Sequence, residues 1–308
     1  MFIRRAFIII LFVMVCAPAF GLADMKKEYY PDGKLHFEWN FENGKLEGVS
    51  RAYSPSGKLM REDNYKNGEL ERIRKLYFES GNLMSELNYK NGELEGTGKE
   101  YFENGKLFSV ENYSYGILEG IKKLYYESGK LSSEWNYKNG KREGISKDYY
   151  ESGKLRNKDN YKNGEREGIS RDYYESGKLK GEANYKNGER EGITKEYYES
   201  GRLKSEANFI NDKMEEIFKE YYPNGKLHRE WKVKNGNPEG VTKTYYEDGE
   251  LESEANFKNG KLDGLYRRYS PSGQIQYIDT YKNDQKINRK AYNEEGKLRF
   301  DQNYPTEK

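Results

Sequence analysis

His36 and His228 are the only imidazoles in this chain, and Cys16 is its only thiol. A structural zinc centre draws Cys and His ligands together, and two histidines and one cysteine, far apart in the chain, nominate no such cluster. No Ser-His-Asp set is nominated by spacing either. Gly96-Thr97-Gly98-Lys99 has a faint look of a phosphate loop. The loop requires a glycine where Glu93 stands and a Ser or Thr where Glu100 stands, so it reads as an ordinary turn. Carboxylates occur all along the chain, and a pair at glycosidase distance is expected by chance. The chain therefore reads as non-enzymatic, with no catalytic residue, no cofactor and no metal.

Recognition chemistry is better represented. The residues after each Lys-Leu pair vary most: Arg156-Asn157, Lys180-Gly181, Phe108-Ser109 and His228-Arg229. The fourth residue after leucine is tryptophan at Trp39, Trp135 and Trp231, which lie 96 residues apart. Accessible tryptophans on one face suit a protein or glycan partner. Trp39, Trp135, Trp231, Phe108 and His228 are thus the candidate binding face. Duplication of a block, or packing alone, would give the same spacing.

The elements that must carry these residues follow from one 24-residue period. It places glycine at Gly33, Gly57, Gly81, Gly105, Gly129, Gly153, Gly177, Gly201, Gly225, Gly249 and Gly273, with Gly296 one residue early. A fixed period of this length means a repeat array. Each unit holds two turn signals, such as Asn187-Gly188 and Ser200-Gly201. Asn-Gly between alternating segments marks a hairpin whose turn needs positive φ at both central residues. The spacing leaves strands of about six to eight residues. A two-residue Ser200-Gly201 turn would pair Glu199 with Arg202, Tyr198 with Leu203 and Lys195 with Glu206; a bulged three-residue turn would shift that register. The position of Lys195 is basic in every unit, as at Arg51, Lys75, Lys147 and Arg267.

Three aromatic ladders share the period. The first comprises Tyr29, Tyr53, Tyr77, Tyr101, Tyr125, Tyr149, Tyr173, Tyr197, Tyr221, Tyr245 and Tyr269, with no phenylalanine. Invariable tyrosine implies a partner for the hydroxyl. The next residue is usually aromatic as well, as at Tyr30, Phe78 and Tyr198. Tyr65, Tyr89, Tyr161, Tyr185 and Phe209 belong to a third ladder. With a mean hydropathy of −1.17, no deep core can be built. The expected fold is all-β: an elongated single-layer antiparallel sheet of tandem hairpins, stabilised between neighbours.

The unit Tyr-Tyr-x-Ser-Gly-Lys-Leu-x-x-Glu-x-Asn-Tyr-Lys-Asn-Gly-x-x-Glu-Gly, seen well at Tyr173 to Leu179 and Glu182 to Gly192, resembles the bacterial variant of the MORN (membrane occupation and recognition nexus) repeat. The resemblance covers about residues 25–304 and implies tandem β-hairpins in a curved sheet. Many members carry an antitoxin-like label, and others are exported by host-associated bacteria. Where other MORN units favour Gly-x-Trp, this chain has Glu-x-Asn-Tyr, so lipid binding does not carry over.

Residues 1–23 stand outside the array. Arg4 and Arg5 precede an apolar run from Ala6 to Val15, followed by Ala17, Ala19, Gly21 and Ala23. This is the pattern of a secretory signal peptide, with cleavage after Ala23 or after Ala19. The run is too short to span a bilayer, and Val15 before Cys16 argues against lipidation. The array, 24–308, then holds no cysteine. The whole chain has 54 basic and 52 acidic residues; removing the signal takes away Arg4 and Arg5 and no acid, leaving 52 of each. Alternating charges with no basic excess argue against nucleic acid and against membrane binding beyond the signal. Asp212 and Glu216 replace both glycines of one hairpin, as Asp284 and Asn288 do near the end; residues 211–217 are where a kink is expected. Pro55, Pro271 and the short last unit fit capping repeats.

The leading expectation is an exported scaffold, periplasmic, surface-bound or extracellular, that binds a protein or surface glycan, a host's among them. The alternatives are an antitoxin or immunity protein and a structural protein of the cell envelope. An open sheet also has two unpaired edges, so an edge-to-edge homodimer is a further expectation.

Overall fold

The computed structural model describes residues 24–305, so the expected signal peptide lies outside the described residues. Two compact units divide the chain, one up to Leu94 and the other from Glu95 onward. Both are made of the same repeat. The described residues form 31 strands and no helix. Within each unit the strands follow one another in chain order as one open antiparallel sheet.

One repeat shows why the sequence folds this way. The eight-residue strand Leu179–Lys186 turns at Asn187 and Gly188, whose φ values are 50° and 84°. Both are positive, as a type I′ hairpin requires, and Lys186 faces Glu189 across the turn. The return strand is interrupted after Arg190. Gly192 takes φ 80° and opens a bulge, which lets the six-residue strand Gly192–Tyr197 resume pairing two places out of step. Asparagine repairs this bulge. Its side-chain amide donates to the carbonyl just past the glycine, as from Asn112 to Ile121 and from Asn256 to Leu265, both at 3.2 Å. A buried or half-buried carbonyl displaced from the ladder would otherwise lack a donor.

The second turn differs from the two-residue reading. Gly201 donates to the carbonyl of Tyr198 at 2.8 Å, and Tyr198 donates to that of Arg202 at 2.8 Å. The loop therefore has three residues, Glu199, Ser200 and Gly201, with glycine at φ 90°. Tyr198 faces Arg202 and Tyr197 faces Leu203, so the expected pairs Glu199–Arg202 and Tyr198–Leu203 do not form. A bulge next to Lys204 then shifts the register back, and Lys195 faces Glu206 as expected. The two one-residue offsets cancel.

This register gives the sheet two unequal faces, because directly opposed residues share a side. The covered face carries Ser205, Ala207 and Phe209 with Thr194 and Glu196 opposite, while Leu203 faces Tyr197 on the open side. Except for Ser54, the buried side chains fall in these columns, among them Ala207, Phe209, Val233 and Ala255, with Ser50, Ser109, Asp63, Asp159 and Asp279. The open face carries the Lys195 and Glu206 columns, the first tyrosine ladder and a column of isoleucines. Ile121, Ile145, Ile169 and Ile193 are all exposed, Ile193 by 60%.

Neighbouring repeats are tied by three recurrent bonds. The glutamate before each bulge glycine accepts the backbone N–H of the next asparagine turn: Glu47 from Asn67, Glu119 from Asn139 and Glu167 from Asn187, at 2.7–2.9 Å. The turn glycine donates to the previous repeat, as Gly68 does to the carbonyl of Leu46 at 2.8 Å. The second-ladder tyrosines donate to the next repeat's main chain. Tyr150, Tyr174 and Tyr198 bond the carbonyls of Tyr173, Tyr197 and Tyr221, each at 2.7 Å.

Departures from the repeat keep the backbone where they can. Asp212 and Glu216 retain φ of 61° and 67°, as does Arg72 at 63° in the first unit. Asp284 does the same at 68°, but Asn288 does not take the glycine's place. The one-residue deletion falls in that bulge, so a single extra residue separates Thr280–Asn288 from Tyr281–Lys286, and no positive φ is needed.

Candidate interaction face

The three tryptophans occupy the covered-face column that holds Ala207 and Asp159 in other repeats. None is fully buried and none is open, because each lies against a flat neighbour. Trp39 stacks on Phe37 with centroids 5.1 Å apart and 12° between planes. Phe218 tilts against Trp231 at 4.2 Å. The guanidinium of Arg142 sits 4.1 Å above the ring of Trp135, whose Nε1 donates to Asp148 at 3.0 Å. Each tryptophan is thus held in place and partly exposed. Trp135 and Trp231 stay four repeats apart and build no shared cluster.

The bulge beside Lys204 brings Phe108 and His228 to the same face. Alternation counted back from Ser205 would put the residue before it on the open face. Instead Lys204 reaches Glu196 at 3.1 Å, and Glu196 faces Ser205 on the covered side. His228 in the same place lies 4.4 Å from the Tyr222 ring, its Nδ1 3.6 Å from Glu220. Phe108 packs edge-on to Phe102 at 5.1 Å. His36 completes a run of rings in the first unit, 4.2 Å from Tyr30 and 3.9 Å from Phe37. All five candidate residues therefore share one face of the repeat.

Sequence reasoning missed the charges that sit among them. Asp63, Asp159 and Asp279 lie in the tryptophan column, nearly inaccessible to solvent. Arg74 and Arg61 reach Asp63 at 2.6 and 2.9 Å. Ser170 and Arg166 serve Asp159. Arg289 grips both oxygens of Asp279 at 2.6 Å, with Lys286 at 2.8 Å. Burial works to raise the pKa of Asp279, but Arg289 and Lys286 outweigh it and hold the carboxyl below its ordinary range. The signal was present in the sequence: a basic or hydroxyl residue stands opposite each of these acids.

Where the column shrinks to Ala183 and the neighbouring place to Gly181, the covered face has an open depression of about 300 Å³. Arg166, Arg190, Lys180, Tyr174 and Tyr185 line it. The cations are engaged: Arg166 lies over Tyr185 and Arg190 over Phe209, at 5.2 and 3.9 Å.

The first tyrosine ladder lies on the open face, and its hydroxyls meet the glutamate column. Tyr221 donates to Glu206 at 3.1 Å and Tyr269 to Glu254 at 3.4 Å. Burial, followed by the nearby Glu206 carboxylate, pushes the Tyr221 phenol up to about 12. The expected hydroxyl partner is therefore a carboxylate at these positions. Gly96-Thr97-Gly98-Lys99 is not a turn but the start of the strand Gly96–Tyr101, with Gly96 as its bulge glycine. Among the described residues no three His, Cys, Asp or Glu side chains are grouped to hold a metal.

No curated protein matches the chain. Among solved structures, it is similar at 15% identity to a chain of the TcdB2-TccC3-Cdc42 crystal structure, over 91% of its own length and 17% of that chain, with a TM-score of 0.19. For TcdB2-TccC3 the values are 12%, 91%, 18% and 0.16. The chain thus spans about a sixth of those proteins, and TM-scores this low carry no argument. The family comparison is different in kind. The MORN repeat variant matches at residues 26–45, 46–67, 73–91, 94–115, 118–139, 142–163, 166–187, 190–211, 217–235, 238–259 and 262–283. Eleven consecutive matches make the chain a member of the MORN repeat variant family, generally a non-catalytic repeat scaffold.

Proposed function

We propose that this protein is an exported, non-catalytic scaffold whose covered sheet face binds a protein or surface glycan at the cell envelope or beyond it. One observation carries the reading. Trp39, Trp135 and Trp231 occupy the same place in their repeats, each fixed by a neighbour and each with accessible surface. Rigid, partly exposed aromatic anchors lose little entropy on binding and dominate interface energies. Phe108 and His228 extend the face in their own repeats. Export rests on the arrangement of residues 1–23.

Two measurements test the proposal. Protease treatment of intact producing cells, with determination of the N-terminus, is expected to cleave the protein outside and find Asp24 first. A protected protein that keeps Met1 would overturn export and direct attention to a co-encoded toxin. Substitution of Trp39, Trp135 and Trp231 by alanine together is expected to weaken binding to envelope fractions at least tenfold. Unchanged binding would remove the tryptophans from the interface.

A further inference from the structure

The two outermost described strands are complementary halves of a repeat junction. Among the described residues, Asp24–Tyr29 is a strand of the short type paired on one side only, with Leu35–Glu42, and Leu298–Asn303 is of the long type, paired only with Gln285–Tyr292. At the junctions inside each unit a long strand receives the short strand of the next repeat. The last strand therefore presents the edge that a first strand fits. We propose that a second copy of this chain adds its Asp24–Tyr29 strand to the Leu298–Asn303 edge, giving head-to-tail association.

The internal junctions set the register. Ser253 faces Arg268, Glu254 faces Arg267 and Ala255 faces Tyr266. Transferred to the edges, Phe300 faces Glu28, Asp301 faces Lys27 and Gln302 faces Lys26 of the second copy. Charge follows the same rule. Glu254 sits between Lys243 of its own hairpin at 3.8 Å and Arg267 of the next repeat at 3.6 Å. Asp301 already has its own-hairpin partner, Lys290 at 3.4 Å. Lys27 has Glu38 at 3.6 Å. Each retains a side on which the arrangement around Glu254 would place the other.

Apolar surface agrees. Leu298 and Phe300 are 53% and 47% exposed, and Met25 and Tyr29 are 53% and 55% exposed. Their counterparts at the internal junction, Leu251 and Tyr269, are half-buried. An unpaired edge with uncovered apolar side chains is a template for strand addition. The contact joins different surfaces of the two copies, so it closes into a ring or continues as an open series. A contact one strand wide is small, and its Kd belongs in the micromolar to millimolar range.

Sedimentation of the purified, full-length processed chain up to about 0.5 mM tests this. Concentration-dependent masses at multiples of one chain are expected; a monomer throughout overturns the proposal. Lys27→Glu and Asp301→Lys should each weaken association about tenfold or more by placing like charges opposite. The two variants mixed, and the double variant, should recover it. Failure of both to recover would overturn head-to-tail pairing, because an association through two like edges cannot be rescued in this way. A second test does not depend on the charges. The described chain has no cysteine, so Lys26→Cys and Gln302→Cys variants, mixed under oxidation, should form a mixed disulfide in preference to either self-linked product. Equal amounts of all three would count against the register.

Discussion

Asp279 shows how one residue type is put to structural use in a column that elsewhere carries tryptophan. Its carboxylate is 1% exposed and held by Arg289 and Lys286. Removing it leaves two cations with no counter-charge. Because Arg289 and Lys286 keep some access to water, Asp279→Ala is expected to cost about 2 kcal/mol, read as faster amide exchange in the terminal hairpins. The pH dependence has a definite sign. Because the folded-state pKa lies below that of the unfolded chain, the stabilisation is present above about pH 4 and is lost as pH falls through the lower, folded value. Acid titration of exchange in residues 275–303 should show that loss. Glu216 makes the opposite case. It holds φ 67° where most other repeats have glycine, a conformation that costs a residue with a Cβ about 1 kcal/mol. Glu216→Gly should return about that much stability, raising the thermal midpoint by a few degrees. A lowered midpoint would show that its side chain contributes more than the strain removes.

At the scale of the element, the hairpin is held less by its own apolar contacts than by the repeat before it. The Glu167 carboxylate that receives the Asn187 N–H at 2.9 Å belongs to the preceding turn. The bond is exposed, so Glu167→Ala should cost only about 1 kcal/mol, and urea unfolding would measure it. A uniform loss when the same change is made at Glu119 or Glu143 is expected, since the bond recurs there. Much of this was legible beforehand. Asn187-Gly188 specifies its own turn because the pair tolerates positive φ at both places. Ser200-Gly201 does not, since serine and glycine suit either a two-residue loop or the last two places of a three-residue one. The pairing of Lys195 with Glu206 could not separate them, because the bulge at Lys204 restores the register. That hidden bulge is also why Phe108 and His228 joined the tryptophans on one face by a route that alternation alone does not give. The column of exposed isoleucines went unread because a β-branched residue in a strand signals burial as readily as exposure.

At the scale of the molecule, each repeat contacts its neighbours in the chain, so stability should be the sum of unit and junction contributions. Deleting residues 168–191, one whole period, joins a Glu167 turn to a Gly192 strand without changing register. That variant is expected to keep its β circular dichroism and a cooperative melt. A deletion of one residue fewer should not, because a one-residue slip sends every side chain to the other face. The comparison of the two melts decides the point. The exception already in the chain fits: the missing residue of the last repeat was absorbed in the bulge between Lys286 and Asn288, and Asp279 still faces Arg289 beyond it.

The glycine N–H that ties each asparagine turn to the repeat before it has a chemical consequence over time. Asparagine followed by glycine is the dipeptide most prone to ageing, since the glycine nitrogen attacks the asparagine side chain and expels ammonia. Gly68, Gly92, Gly140, Gly164 and Gly188 each have that nitrogen engaged with a carbonyl of the preceding repeat at 2.8–3.0 Å. Attack requires the bond to break first. Deamidation at each turn therefore records how often its junction opens, and an old preparation would carry a residue-by-residue history of local unfolding.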